Sequence, residues 1–154
     1  TEVCAMITDG EEAGLRGCKQ WAKDHYDEYV NSGVETVVLC VDTLADLDYL
    51  RVYNKDMTGT VKNSQQFSQL VMDSAKDSGH NDLEFSSVYF GSSDAAAFSQ
   101  AGITATCLAA MDPKPADYYH NRRDTAERLV PEAIKTGFDV IISTILNFDE
   151  KGLN

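Results

Sequence analysis

Basic residues are in short supply: 13 lysines and arginines stand against 25 aspartates and glutamates, a formal charge of −12. Phosphate binding wants clustered cations, so this balance argues against a nucleic-acid partner. The acids are scattered along the chain, which fits a solvated globular surface rather than a disordered acidic tail. No apolar run approaches the ~20 residues of a membrane span, and no stretch reads as a signal peptide. The four cysteines, Cys4, Cys18, Cys40 and Cys107, form no C-x-x-C pair, which argues against a thiolate zinc site. Each sits among apolar neighbours, as in VVLCVD and ATCLAA, and is expected to be a buried free thiol. Free thiols fit a reducing compartment and lean towards a cytoplasmic setting. Internal repeats, a G-x-S-x-G elbow and a Gly-rich phosphate loop are also missing, so Ser92 and Ser93 are poor nucleophile candidates.

What the chain does have is enough apolar material, 43% of 154 residues, for one domain with a real core. Apolar runs alternate with helical patterns. Val3 to Ile7 reads as a buried strand, followed by the polar turn TDGEE and a helix from about Ala13 to Asn31. In that helix Leu15, Cys18, Ala22, Tyr26, Tyr29 and Val30 share one face at steps of three and four. Val34 to Val41 is a β-branched run suited to a central parallel strand. Tyr49 to Lys55 reads as a shorter, more exposed strand, and Lys62 to Ser78 as a helix. Leu83 to Phe90 is expected to be a strand, Asp94 to Gln100 a short helix, Thr104 to Met111 the last strand and Pro131 to Asp149 the last helix. Such alternation implies an α/β fold, a three-layer sandwich with a largely parallel central sheet. The chain also opens on Thr1 inside an expected strand, so it is read as part of a domain.

In open α/β sheets ligands gather at the carboxyl ends of strands. Four polar groups fall there. Glu11 and Glu12 are adjacent and are expected to begin a helix, whose free amides favour negative charge. Asp42 breaks an apolar strand abruptly, and His120 lies in the long loop DPKPADYYHNRRDT. Carboxylates and an imidazole suit zinc, and one acid of a Glu-Glu pair can stay off the metal to act as a base. Taken singly, each has a plainer reading: a helix-start charge, a turn-forming aspartate, a loop histidine. Their joint position at strand ends is what raises them to a candidate site.

The wording around these residues is more specific. VCAMITDGEEAGLRGCKQW resembles the strand-GEE-x-GL-x-GS-helix motif of the aminopeptidase Y and bacterial leucyl aminopeptidase family of zinc exopeptidases. GSSDAAAFSQAGITATCLAAMDPKPADYYHNRRDTAERL resembles that family's SDH-x-x-F-x-x-AGIPA segment and its Y-H-T-x-x-D-T loop. Asp42 follows Glu12 by 30 residues and His120 follows Asp42 by 78, close to the family spacing. The resemblance covers nearly the whole chain. It implies that residues 1–154 are the C-terminal part of a single zinc-peptidase catalytic domain whose upstream half is absent here. It implies two zinc ions as cofactor, Glu12 and His120 as ligands of one, Asp42 as a ligand of the other, and Glu11 as general base. Water activated by the metal would lose a proton to Glu11 and attack the carbonyl of an N-terminal peptide bond. Asp94 and Asp124 match acids expected to order the site or meet the substrate.

Three departures bear on that expectation. The family's other metal ligands lie upstream of the GEE motif, and His25 and His80 fit neither role. SDH is SDA here, with Ala95 in place of the histidine, and Cys18 replaces a small serine. This chain alone is therefore expected to be incomplete and inactive. Its partners would be a peptide substrate and either the missing N-terminal half or further copies of itself. The same fold and ligands also suit a glutaminyl cyclase, and the departures suit a non-catalytic peptidase-like domain used for binding or assembly.

Overall fold

The computed structural model describes residues 1–112, 114 and 116–153. The element order is α1 (Arg16–Tyr29), β1 (Val37–Asp42), β2 (Leu50–Asp56), β3 (Val61–Lys62), α2 (Gln65–Asp77), β4 (Phe85–Ser87), α3 (Asp94–Gln100), β5 (Thr104–Ala110) and α4 (Pro131–Lys151). Short 3₁₀ turns cover Leu47–Tyr49 and Ala126–Arg128.

The strands form one mixed sheet in the order β1-β5-β2-β3, with β4 also on β2. β1 runs parallel to β5, and β4 parallel to β2, while β2 is antiparallel to both β5 and β3. β5 lies between β1 and β2 and is buried on both faces, which explains why TATCLAA lacks the polar-apolar alternation of a half-exposed strand. Its pleat divides the core. Ala105, Cys107 and Ala109 face α1 and α3, together with Cys18, Ala22 and Phe98. Leu108 and Ala110 face the other side, with Leu50, Val52, Phe67, Val71 and Val140 of β2, α2 and α4. Period two along one strand therefore serves two helical layers. The expected three-layer sandwich is what forms.

α2 is anchored at its N-terminal end. The Ser64 hydroxyl caps it by accepting from the Phe67 amide at 3.2 Å, and Ser68 shares a buried hydrogen bond of 2.7 Å with Thr106 on β5. Ser64→Ala removes the cap and is expected to cost about 1 kcal/mol. The check is the urea midpoint, which should fall at an unchanged slope. At α4, a side chain on Gly137 would meet the Leu44 methyl 2.5 Å away, so glycine lets the helix approach the loop that follows β1.

The sequence reading needs correcting in three strands, of which the one expected over Leu83 to Phe90 shortens to Phe85–Ser87. Tyr49 to Lys55 was expected to be short and exposed. β2 instead pairs with three strands and keeps Leu50, Val52 and Tyr53 at 1% exposure or less. Its polar residues mislead because alternate side chains serve the buried face and the strand ends. Val3 to Ile7 was expected to be a buried strand, yet residues 1–10 form no strand. Val3 is 60% exposed and Ile7 fully so. An apolar β-branched stretch becomes a strand only when a neighbouring backbone accepts its hydrogen bonds, and none reaches it among the described residues.

Candidate metal and catalytic site

The turn carrying Glu11 and Glu12 is built by backbone hydrogen bonds. The Glu11 carbonyl accepts from the amides of Gly14 and Leu15 at 2.9 and 2.8 Å, and Gly17 donates to the Asp9 carbonyl at 3.0 Å. A side chain on residue 17 would sit 2.5 Å from that carbonyl, so only glycine allows the turn to fold against α1. α1 itself starts at Arg16, with no acid in its first turn. The pair thus precedes the helix instead of beginning it, and the helix amides do not stabilise its charge. Desolvation and the neighbouring charges of Glu12, Asp42 and Asp94 push the Glu11 carboxyl above its ordinary value, opposed in part by His120. A carboxylate held in this way is a stronger base.

Glu12 and His120 come together. His120 Nε2 lies 2.9 Å from Glu12 Oε1, although the two residues stand at opposite ends of the sequence. His120 adopts φ 55°, a left-handed conformation tolerated by few side chains other than glycine, asparagine, aspartate and histidine. Tyr119 stacks on its ring at 3.8 Å between centroids and 17° between planes. The surrounding loop is tied by Asn121, whose side-chain amide donates to the Asp117 and Tyr119 carbonyls and whose oxygen accepts from the Arg123 amide. Tyr119 has its phenol pushed up by burial and by the charges of Glu12, Asp42 and Glu11. Four carboxylates, Glu11, Glu12, Asp42 and Asp94, line one cleft with His120 and Tyr119. Such a concentration of one sign favours a cation, whether a metal or the ammonium of a peptide.

Asp42 ends β1 as expected, and its Oδ1 accepts from the Thr43 hydroxyl at 2.8 Å. Among the described residues it forms no hydrogen bond or ion pair with the Glu12–His120 pair, although its charge acts on Glu11. Asp94 opens α3; its Oδ2 accepts from the Thr8 hydroxyl at 2.7 Å, and its Oδ1 is buried without a partner. The Asp124 amide donates to the Asn121 carbonyl at 3.1 Å, which places it inside the His120 loop, while its carboxylate makes no hydrogen bond among the described residues. His25 pairs with Glu28 on α1 and His80 with Asp139 on α4, away from this cleft. Ala95 is fully buried in the core cluster, so residue 95 offers nothing to the cleft.

For zinc the donors are right in kind. Two ligands on one tetrahedral ion, each about 2.1 Å from it, stand about 3.4 Å apart, close to the Glu12–His120 separation. They fall short in number. No group of three or more His, Cys, Asp or Glu able to share a metal occurs among the described residues, whereas a catalytic zinc takes about three protein ligands. The described residues alone are too few to hold a catalytic zinc.

Sequence reasoning missed two supporting residues. Asp56, at the end of β2, is fully buried and accepts from the amides of Met57 and Ser93 at 2.8 and 3.0 Å and from the Ser93 hydroxyl at 2.6 Å. Ser93 caps α3 and so sets where Asp94 begins. The Ser93 hydroxyl is occupied as a structural hydrogen-bond donor. Thr8 was the other omission, and its only signal was a hydroxyl three residues before the acid pair. All four cysteines are free; Cys18 and Cys107 are buried, Cys40 half-buried and Cys4 exposed. Burial pushes the Cys18 thiol up to about 12, with Asp94 contributing.

Comparison with known proteins bears on the family and the fold. Residues 1–145 match the description Peptidase family M28. Among solved structures, the LapA aminopeptidase of Legionella pneumophila superposes with a TM-score of 0.71 at 17% identity, covering 89% of this chain and 36% of that one. A glutaminyl cyclase from an Acidobacteriales bacterium gives 0.70 at 18% identity, covering 90% and 47%. BSAP, a zinc aminopeptidase from Bacillus subtilis, gives 0.65 at 20% identity, covering 91% and 33%. The chain spans about a third to a half of the length of these structures. No curated protein matches it.

Proposed function

This chain belongs to peptidase family M28, and on that premise we propose that it carries the general base and part of the metal shell of a zinc exopeptidase of the aminopeptidase type. The observation that supports this reading best is the 2.9 Å approach of His120 Nε2 to Glu12 Oε1. The two proposed ligands of one ion are brought to ligand-like separation by elements far apart in the chain. In this reading Asp42 serves a second zinc. Zinc, when bound, makes water acidic enough to act as a nucleophile near neutral pH.

The remaining chemistry belongs to the chain. Glu11 accepts a proton at its carboxylate, helped by the desolvation that raises its proton affinity, and delivers it to the leaving amine. Asp94, tied to Thr8, steadies the turn that bears Glu11, and Asp124 orders the His120 loop. The negative cleft receives the ammonium of an unblocked peptide N-terminus. Missing donors come from the part of the domain that this chain does not span, so residues 1–154 alone should bind zinc weakly and hydrolyse nothing.

The test compares residues 1–154 with the full product of the reading frame that encodes them. Only the full product should release nitroanilide from an aminoacyl nitroanilide, and a chelator should abolish it. Chelator-sensitive release by residues 1–154 alone would overturn the division of the site. A second reading has a specific basis, because the glutaminyl cyclase superposes as well as the aminopeptidases do. Ammonia released from an N-terminal Gln peptide, with no free Gln, would favour it. A full product that lacks zinc and performs neither reaction would leave a peptidase-like binding or assembly domain.

A further inference from the structure

α4 shows more apolar surface than a solvated helix has reason to carry. Ala133, Gly137, Val140 and Thr144 are buried, while Phe138, Ile142 and Leu146 are 58%, 53% and 64% exposed. Spaced four residues apart, the exposed three form one stripe along the helix. An open groove of about 490 Å³ runs beside them, completed by Ser78, Asp139 and Ser143. A contiguous apolar patch with polar residues at its rim is the mark of an interaction surface.

Charge indicates what covers the stripe. Phe138 and Leu146 stand four residues before and after Ile142, and Lys135 and Asp149 stand seven before and after it. On a helix of 3.6 residues per turn all five fall within an arc of about 80°, with each charge about 10 Å from Ile142 along the axis. Both charged side chains are exposed. The pattern is symmetric in position and opposite in sign. A two-fold axis through Ile142 lays such a stripe on an antiparallel copy of itself. Phe138 of each copy then meets Leu146 of the other, and Lys135 of each meets Asp149 of the other. A parallel copy would oppose like charges at both ends. Within the chain Lys135 Nζ donates to Asp139 at 2.6 Å, and Asp149 Oδ1 accepts from the Thr1 ammonium at 2.9 Å. An ammonium has three donors and a carboxylate a second oxygen, so each can take a further partner. Asp149 also sits in the last turn of α4, where the helix dipole disfavours an acid.

We propose that the Phe138–Ile142–Leu146 face of α4 docks antiparallel on the same face of a second copy of this protein, with two Lys135–Asp149 ion pairs fixing the register. The face is separate from the candidate site: Ile141, Ile145 and Phe148 of α4 line the acidic cleft, whereas Phe138, Ile142 and Leu146 do not. Both copies therefore keep that cleft open. Three exposed apolar side chains from each copy make a small interface, at the weak end of specific association, with a Kd on the order of 10 μM.

Sedimentation equilibrium on the full product of the reading frame tests this. Ile142→Glu sets two like charges on the axis and should raise the dimer Kd at least about 100-fold. The melting temperature of dilute, monomeric protein should not change, because Ile142 is half exposed. Lys135→Glu and Asp149→Lys should each raise Kd by about 10-fold, since either one opposes like charges twice in the dimer. Both lie on exposed side chains of α4, so the fold should hold. The double variant restores opposite charges and should return Kd to within about threefold of wild type. Wild-type protein that stays monomeric at about 100 μM would overturn the proposal. So would a dimer indifferent to Ile142→Glu, which must use another surface, or a double variant no tighter than either single one. A dilute Ile142→Glu protein that melts well below wild type also overturns it, because the face is then covered by the rest of the same polypeptide.

Discussion

If the proposed peptidase reading is right, Glu11→Gln in the full gene product should lower kcat by about 10³-fold, the usual loss on removing a positioned base. Zinc content and melting temperature should hold, because the amide keeps the side chain's shape and the Glu11 contacts that build the turn are made by its backbone carbonyl. KM should change little if Glu11 acts on the proton and not on the bound peptide. The variant also tests the electrostatics in the metal-free chain. Glu11 titrates above its ordinary 4.5 when folded, so the folded chain binds a proton more tightly than the unfolded one. Its contribution to stability is full below 4.5 and is lost as pH rises through the raised value. Glu11→Gln should remove that fall and leave the variant the more stable of the two near neutral pH. An unchanged kcat would end the base assignment, and a wild-type pH profile of stability would end the account of its environment.

Asp56→Ala is the substitution expected to damage the fold most. It strips three donors, the Met57 and Ser93 amides and the Ser93 hydroxyl, of a fully buried acceptor. Hydrogen bonds to charged groups carry about 1.5–3 kcal/mol each, and part is returned because a buried charge no longer needs desolvating. A net loss of about 3 kcal/mol is expected, or roughly 6–12 °C of melting temperature for a chain of this size. Asp56→Asn keeps an oxygen for the two amides and turns a donor towards the Ser93 hydroxyl, which can accept. It should cost about 1 kcal/mol. Equal melting of Asp56→Ala and wild type would show that the buried carboxylate contributes nothing net.

Particular residues show how far the sequence could be read. The helices expected over Lys62 to Ser78, Asp94 to Gln100 and Pro131 to Asp149 form at Gln65–Asp77, Asp94–Gln100 and Pro131–Lys151, because helical pattern is a local property. β5 was legible because an unbroken apolar run has few alternatives to a doubly covered strand. β2 was misjudged because its partners are distant in sequence, and exposure depends on them. The stretch from Val3 to Ile7 shows the converse: its composition favours a strand, yet strand formation belongs to a pair of backbones. Asp56 was invisible for a related reason. A lone acid after a strand looks like a turn, and only packing reveals that it is buried and bonded three times.

The chemical inventory of the candidate site was in the sequence alone: the identity of Glu11, Glu12, Asp42 and His120, their order and their spacing; of the expected strand ends, only the one at Asp42 carries its residue. Residue type fixes what a group can donate, accept or bind, and periodicity fixes which face of a local element it occupies. Only the tertiary structure decided who meets whom. It put His120 Nε2 on Glu12, held Asp42 apart from that pair, and set Glu11 before the helix, in a partly desolvated cleft rather than on a stabilising helix end. Those outcomes depend on crossovers and loop packing between distant segments, and no local pattern encodes the distance between two loops.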